Sequence, residues 1–176
     1  MPLSGLLIAI DATRQEMHLI RAGEALMGYP VSTARRGLGC RQDSWQTPTG
    51  WHRIEDRIGD QAKPGQKFIA RHPTEHVLPT IEWMSGGNED LILTRILRLR
   101  GLEPGHNAGP TVDSYDRFIY IHGTNQEQTL GQPTSHGCIR MANHDVVDLF
   151  NRIAGIETYC WIGQDDETKP MKKGIS

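Results

Sequence analysis

The sequence predicts a mainly β, β-rich α+β fold built as one domain. Short alternating apolar and polar segments dominate the chain, and Gly, Pro, Asn and Asp separate them, as in folds made of short strands. The length of 176 residues lies within the usual single-domain range and suffices for a sizeable core. One helical pattern occurs, near the C-terminal end. We therefore expect one β-rich domain over residues 1–163 and a polar, disordered tail over residues 164–176.

Five segments have the alternation expected of strands. Two of them form a predicted hairpin about residues 11–15, and the longest has leucines on one face that Arg95 interrupts. An arginine on an apolar face needs a partner, so we expect an ion pair or a side chain that reaches solvent, and less readily a contact to substrate carboxylates. The predicted strands are residues 5–10, 17–20, 24–33, 51–58 and 91–100.

One helix is predicted over residues 143–154. Asn143 is the expected N-cap, Asp145 lies in the first turn and Gly155 follows the end. The apolar stripe predicted to face the core consists of Val146, Val147, Phe150 and Ile153.

The segments 60–90 and 101–115 are rich in Gly, Pro, Asn and His, and we expect loops there that border a substrate site. Solvated side chains are expected for five histidines outside the two motifs described below: His52, His72, His76, His106 and His144. Trp45 and Trp83 are predicted either to line a pocket or to cover small satellite clusters.

Composition limits the partners and the compartment. A net charge of −2 predicts neither nucleic acid nor a membrane surface as a partner. The three cysteines show no metal spacing, and we expect a buried Cys160, an exposed Cys40 and a reducing compartment. The apolar run Leu6–Ile10 is too short for a secretory signal and ends at Asp11. If residue 1 is the native start, the expected location is the cytoplasm, with the periplasm as the alternative.

The chemistry of the chain is concentrated in two motifs. Phe118-Ile119-Tyr120-Ile121-His122-Gly123 places an imidazole at a predicted strand end, and Ser135-His136-Gly137-Cys138-Ile139-Arg140 contains a thiol. A cysteine attacks as the thiolate, so it needs a base such as His122 to accept its proton. If the chain is extended there, Arg140 points the same way as Cys138. It would favour the thiolate and bind a substrate carboxylate. Backbone N–H groups near Gly137 and Cys138 could stabilise an oxyanion.

Two other interpretations remain open at this point. Cys138 could be a small buried apolar residue, with the two histidines as ordinary core or turn residues. Alternatively, His122, His136 and Cys138 could bind zinc, although no fourth partner is evident. We expect no metal and no cofactor.

The two motifs resemble the active-site signature of the YkuD-type L,D-transpeptidase domain. Thr47-Pro48-Thr49-Gly50-Trp51 resembles the family's Thr-Pro-x-Gly turn, and the likeness covers most of residues 5–163. It implies a β-sandwich or barrel with one helix after the cysteine turn. It also implies Cys138 as nucleophile, His122 as proton donor and acceptor, and the Gly123 carbonyl as the group that orients His122. His136 and Gly137 correspond to supporting residues. Arg140, Tyr120 and Ser135 are the expected substrate contacts.

The resemblance also implies a substrate and a reaction. Peptidoglycan stem peptides or muropeptides are the expected partners, attacked at the bond between the L-centre of the diamino acid and D-alanine. If water is the acceptor, the enzyme is an L,D-carboxypeptidase that acts in wall recycling, and the expected cytoplasmic location favours this reaction. If an amine is the acceptor, the enzyme is a transpeptidase that cross-links the wall or exchanges a D-amino acid. A muropeptide-binding module without turnover is the third possibility. Carbapenems are expected to acylate Cys138.

Overall fold

The computed structural model describes residues 5–84, 87 and 89–164. The prediction of a mainly β fold is confirmed, whereas the predicted tail lies outside the described residues except for Gln164. The described strands are β1 (Leu6–Asp11), β2 (Glu16–Arg21), β3 (Glu24–Ser32), β4 (Gly50–Ile58), β5 (Gln66–Ile69), β6 (His72–Val77), β7 (Ile92–Gly101), β8 (Tyr120–Gly123), β9 (Ile139–Met141) and β10 (Thr158–Gly163). The helices are α1 (Thr80–Trp83), α2 (Asn143–Arg152) and a 3-10 turn over Glu127–Thr129.

The strands form a sheet that closes on itself. Their order is β4-β10-β1-β2-β3-β9-β8-β7-β5-β6, and β4 also pairs with β7. This additional pairing joins the two sides into a barrel and leaves the β5–β6 hairpin attached to β7. Closure pairs strand edges that would otherwise expose unsatisfied N–H and C=O groups.

The main core fills the barrel and continues under α2. It combines inward-facing side chains of most strands with Val146, Leu149 and Phe150 of the helix. Helix α2 lies against β7 and β8, so the element that follows the cysteine turn braces the strand that ends in His122 and Gly123. No described helix has the length and apolar character needed to cross a bilayer.

The β1–β2 hairpin and strands β3, β4 and β7 agree with the predicted segments within a few residues, and β7 is the longest described strand. The single leucine face predicted for β7 is wrong. Thr94 has φ +73° and the register shifts between Leu93 and Ile96, so the alternation changes phase there. Leu93 joins a small cluster with Trp83, whereas Leu97 belongs to the main core.

Arg95 lies at that bulge, and within the described part of the chain it forms no ion pair, the first of the two arrangements expected for it. Its Nη1 donates to the carbonyls of Ala62 and Thr94 at 2.7 and 2.6 Å, and its guanidinium lies 5.3 Å from the centre of the Phe150 ring. Burial lowers the pKa of this guanidinium.

The prediction of a loop over residues 60–90 is wrong. That segment contains β5, β6 and α1, because β5 pairs with both β6 and β7 and so adds a hairpin to the sheet. Pairing with a distant strand decided the structure here against a composition typical of loops. Trp83 is buried in a satellite cluster with Leu78 and Leu93, which is the second of the two roles predicted for it. The His144 ring lies against the Trp83 ring.

Helix α2 differs in detail from the prediction. Ala142 occupies the N-cap position and Asn143 is the first helical residue, because its side chain turns back to bind neighbouring segments. Leu149 is buried where Val147 was expected, and Val147 is only half-buried.

His52 is buried, against the prediction of a solvated side chain. Its Nδ1 lies 3.0 Å from the Gly50 carbonyl oxygen and its Nε2 lies 3.0 Å from the Ser114 hydroxyl. Burial lowers the pKa of His52 from 6.5 to about 4, so the ring is neutral at pH 7. The sequence could not reveal this, because burial follows from the β4 contacts to β10 and β7.

Candidate active site

The two sequence motifs meet as adjacent parallel strands. In the β8–β9 register, His122 pairs with Arg140 and Ile121 pairs with Ile139. Paired residues share a face, so Cys138, one residue before β9, lies on the same face as Tyr120 and His122. The isoleucines occupy the opposite face, in the main core. The barrel thus brings the thiol and the imidazole onto one face.

The Cys138 thiol lies against backbone. The Tyr120 N–H donates to its Sγ at 3.4 Å, and the Phe118 carbonyl oxygen is 3.4 Å away. Phe118 adopts φ +56°, a left-handed conformation that costs energy for a bulky residue. Burial raises the pKa of Cys138 to about 12 and outweighs the Tyr120 N–H and the Arg140 charge, which lower it. The resting thiol is therefore neutral, and Arg140 does not produce the expected thiolate.

His122 is held as a neutral ring. Only 2% of it is exposed, and its Nδ1 lies 2.7 Å from the Gly123 carbonyl oxygen. Burial lowers its pKa below the ordinary value of 6.5, although Asp90 acts in the opposite direction. The hydrogen bond assigns the proton to Nδ1 and leaves a lone pair on Nε2.

Gly123 is needed for close packing around His122. A Cβ at this position would lie 2.4 Å from Oδ1 of Asn143 and 2.8 Å from the Leu93 carbonyl oxygen. The Asn143 side-chain amide donates to the Thr124 carbonyl at 2.7 Å, and its Oδ1 accepts from Thr94 Oγ1 at 2.5 Å. These bonds connect the start of α2 to the end of β8 and so fix the Gly123 carbonyl.

The turn that leads to Cys138 is held by hydroxyl groups. Ser135 Oγ donates to the Cys138 carbonyl at 2.6 Å and accepts from the Gly137 N–H at 3.2 Å. Thr47 Oγ1 donates to the Gly137 carbonyl and accepts from the Ala34 N–H, both at 2.9 Å. Gly137 has φ +133°, which disfavours a side chain. Ser135 therefore braces the turn, and because it also lines the groove described below, its expected substrate contact stays a prediction.

Arg140 does not present the open guanidinium expected from the sequence. It is 1% exposed, and its Nη2 lies 2.5 Å from Asp90 Oδ2. Its Nη1 donates to Gln126 Oε1 at 2.9 Å and lies 3.3 Å from Thr134 Oγ1. Direct binding of a substrate carboxylate by Arg140 would require it to leave these partners.

Asp90 connects Arg140 to His136. The same Oδ2 lies 2.9 Å from His136 Nδ1, while Oδ1 is buried and has no hydrogen-bond partner among the described residues. Burial alone would raise the Asp90 pKa, but positive charge at His122 and Arg140 and hydrogen bonds from Arg140 and His136 lower it on balance. Because His122 is neutral near pH 7, Arg140 supplies that charge. Asp90 thus remains an anion that fixes His136 in place.

Tyr120 lies beneath the thiol. It is buried with Phe68 and Ile96, with Cys138 packed against this cluster, and its hydroxyl accepts from Arg71 Nη1 at 3.2 Å. Tyr120 therefore supports the cysteine from below, and no open face of it is available for the expected substrate contact.

An open groove borders the cysteine turn. It has a volume of about 610 Å³ and is lined by Arg35, Arg36, Trp45, Asp90, Ser135 and His136. A smaller cleft of about 240 Å³ lies on the other side of Trp45 and His136 and is lined also by Gln42, Asp43, Asp116, Arg117, Phe118 and Ile119. Trp45 is 54% exposed and packs edge-on against His136, so it forms a pocket wall, as one of its two interpretations predicted.

The zinc alternative has no ligand cluster to support it. In the described part of the chain, no group of at least three His, Cys, Asp or Glu side chains is arranged to hold a metal ion. Nδ1 of His122 is bonded to a carbonyl, and His136 binds Asp90.

Known proteins share both the sequence pattern and the fold. Residues 6–169 match the family described as YkuD, L,D-transpeptidase catalytic domain. The chain belongs to this family. YqjB of Bacillus subtilis (strain 168), named as an L,D-transpeptidase, is 31% identical over 102 residues, which are 54% of this chain and 58% of that protein.

Solved L,D-transpeptidase structures share the fold at low identity. LdtMt1 in complex with imipenem is 14% identical with a TM-score of 0.52, over 91% of this chain and 59% of that one. L,D-transpeptidase 3 from Mycobacterium tuberculosis, with a faropenem-derived adduct, is 11% identical with a TM-score of 0.53, over 91% and 60%. The chain thus spans about three-fifths of the length of these relatives.

Three residues that shape this site were not identified as such from the sequence. Asp90 lies in a segment of loop-like composition, and no local pattern marks it. Thr47 belongs to the Thr-Pro-x-Gly turn, whose family resemblance was a usable signal. Asn143 was identified as a helix cap, and its bonds to Thr94 and Thr124 depend on tertiary contacts.

Proposed function

We propose that this chain is a cysteine-dependent L,D-carboxypeptidase that acts on tetrapeptide stems of peptidoglycan. Cys138 would attack the carbonyl at the L-centre of the diamino acid, normally diaminopimelate, and release D-alanine. The observation that carries this proposal is the placement of a partly exposed thiol and a buried, neutral imidazole on one face of β8 and β9, beside an open groove, in a member of this family.

The neutral thiol determines how the first step proceeds. With the pKa of Cys138 raised to about 12, a resting thiolate is scarce, so the proton moves to Nε2 of His122 as sulfur attacks the carbonyl carbon. The tetrahedral intermediate then collapses, and His122 gives that proton to the departing amine of D-alanine. A thioester on Cys138 remains.

The second step returns the enzyme to its starting state. His122 takes a proton from water as the water oxygen attacks the thioester carbonyl, and the proton passes to the departing Cys138 sulfur. The products are the shortened peptide acid and the free thiol. Burial of His122 suits this role, because the lowered pKa leaves the ring a neutral base at every pH above that value.

The oxyanion of both steps needs backbone donors. The Gly137 N–H already donates to Ser135 Oγ, whereas the Cys138 N–H has no acceptor among the described residues. We assign the Cys138 N–H as a donor to the developing negative charge. The Thr47 and Ser135 hydrogen bonds hold the turn so that this N–H keeps its direction.

Water as the acceptor is supported by the state of the cysteines. Cys40, Cys138 and Cys160 are free thiols, and a half-exposed thiol such as Cys40 suits a reducing compartment. We therefore propose the cytoplasm as the site of action. The available donors there are wall fragments returned for recycling, and the polymeric wall that transpeptidation would cross-link is absent.

Transpeptidation is the second candidate, and one observation favours it. The smaller cleft shares Trp45 and His136 with the groove, and it offers a second space for an amine-bearing acceptor near the thioester. The same His122 would then deprotonate the acceptor amine in place of water. Carbapenems are proposed to acylate Cys138 by the first step of either route.

Mass spectrometry of purified protein with a disaccharide-tetrapeptide tests the proposal. We expect the parent protein to remove one D-alanine and the Cys138→Ala variant to lose this activity. The Cys40→Ala variant should keep it, because Cys40 is a matched thiol that lies away from the site, beside His106. A parallel reaction contains an added D-amino acid.

The outcomes separate the candidates. Hydrolysis that outpaces exchange supports the carboxypeptidase, and exchange or dimer formation that outpaces hydrolysis supports the transpeptidase. Turnover that persists in Cys138→Ala would refute the mechanism. If Cys138 resists alkylation near neutral pH and the protein binds the muropeptide without turnover, the binding module is the better description.

A further inference from the structure

The groove beside the cysteine turn carries a pair of arginines that the reaction steps do not use. Arg35 and Arg36 line the 610 Å³ groove together with Trp45 and His136. Both side chains are exposed, and no carboxylate within the described residues pairs with either of them. Arg140, by contrast, is buried against Asp90. The guanidinium groups that face the groove are therefore these two.

The backbone holds this arginine pair at a fixed position relative to the nucleophile. The Arg35 N–H donates to the Ser135 carbonyl at 3.0 Å, and Ala34 forms a parallel bridge with Ser135. The Ser135 hydroxyl in turn bonds the Cys138 carbonyl. A chain of short hydrogen bonds thus links the arginine turn to the cysteine turn.

The turn itself is closed on both sides. The Gly37 N–H donates to the Ala34 carbonyl at 3.0 Å, and Gly37 has φ +78°, which permits the tight reversal. On the other side, Gln46 Nε2 donates to the Arg36 carbonyl at 3.0 Å. Two consecutive guanidiniums are therefore presented from a rigid backbone, which lowers the cost of ordering them on a ligand.

The remaining charges of this groove favour an anionic ligand. Asp90 is the acidic side chain in its lining, and Arg140 already neutralises it. The exposed carboxylates Asp43 and Asp116 line the other cleft, beyond Trp45. A carboxylate placed in the larger groove would meet two unpaired positive charges, and guanidinium binds it through parallel hydrogen bonds.

We infer that Arg35 and Arg36 bind the terminal carboxylate of the donor peptide and make the enzyme selective for peptides with a free C-terminus. This inference rests on the proposed function and adds the residues that recognise the leaving end of the substrate. Trp45 walls the groove next to them. The buried Arg140 has a different role, which is to hold Asp90 and, through it, His136.

Calorimetry with the Cys138→Ala protein tests this inference without turnover. The probes are a disaccharide-tetrapeptide and the same compound with a C-terminal amide. Because hydrogen bonds to charged groups are strong, we expect Arg35→Gln/Arg36→Gln to raise the Kd of the free acid by about 10- to 100-fold. Amidation should raise the Kd similarly, and the double variant should add little to the effect of amidation. Arg21→Gln, an exposed arginine on the far end of the β2–β3 hairpin, is the matched control.

Each outcome bears on a separate proposal. Unchanged binding of the free acid by the double variant, or an equal loss for acid and amide, would overturn the inference and leave hydrolysis by the parent enzyme standing. Loss of D-alanine from the acid at an undiminished kcat/KM in the active double variant would overturn it as well. If the Cys138→Ala protein binds neither probe and the parent enzyme hydrolyses neither, the inference falls together with the proposed function.

Discussion

Replacing Asp90 by Asn removes one charge from the ion pair beneath His136 and keeps the side-chain shape. Arg140 would retain Gln126 and Thr134 as partners, but its guanidinium would stay buried without a countercharge. Removing one member of a buried ion pair is strongly destabilising, because the remaining charge cannot return to water. Asp90→Asn tests whether this pair holds the site together.

The structure sets the size of the effect. Arg140 is 1% exposed and Asp90 is 23% exposed, so the cost lies at the lower end of the range for buried pairs, about 3 kcal/mol of unfolding free energy. For a chain of this length, each kcal/mol shifts Tm by about 2–4 °C, which predicts a decrease of roughly 6–12 °C. Because the pair is buried, added salt should change this difference little.

Differential scanning calorimetry at pH 7 measures the shift, and Asp116→Asn, at an exposed carboxylate, is the control. The folded pKa of Asp90 is lowered, so its contribution is complete above the unfolded pKa of about 3.8 and is lost as pH falls below it. The two proteins should therefore converge in stability at acid pH. A Tm within about 2 °C of the parent at pH 7, the shift expected for less than 1 kcal/mol, would refute the assignment of a structural ion pair.

Two further predictions concern the cysteine turn and His52. Thr47→Val removes both buried hydrogen bonds of Thr47 Oγ1, so we expect the free energy of unfolding to fall by about 2–4 kcal/mol and kcat to decrease. Thr80→Val, at an exposed threonine, is the control and should change neither quantity. A Thr47→Val protein that is fully active and equally stable would contradict the role of this hydroxyl. The pKa of His52 is about 4 in the folded protein and 6.5 in the unfolded chain, so between these values the unfolded chain binds a proton that the folded protein does not. We therefore expect His52 to lower the free energy of unfolding by about 2 kcal/mol between pH 7 and pH 5. Urea unfolding at both pH values should show this part of the pH dependence missing in His52→Gln, and an identical pH dependence would contradict it.

Local patterns in the sequence were sufficient for elements whose partners are close in the chain. The β1–β2 hairpin and the helix after the cysteine turn could be predicted because alternation and the helical repeat record which face is buried. The β5–β6 hairpin could not, since its composition is that of a loop and only pairing with β7 makes it a sheet. The bulge at Thr94 likewise depends on the fit of β7 against β8.

The same division holds for the candidate site. The motifs around His122 and Cys138 indicated both residues, because their spacing along each strand is local information, whereas the β8–β9 pairing that puts the two side chains on one face is tertiary. Their electrostatic state was not predictable in this way. The raised pKa of Cys138 and the lowered pKa of His122 both follow from burial, which the packing of distant segments creates.

The sequence by itself determined the family and the mainly β fold and indicated the candidate residues for the chemistry, since each is encoded in neighbouring positions. Only the tertiary structure decided what Arg140 does. A guanidinium in phase with a thiol looks free to bind substrate until Asp90, from a distant loop, is placed beside it. Which charges are paired and which remain open, as at Arg35 and Arg36, depends on distances between segments, and those distances exist only in the folded chain.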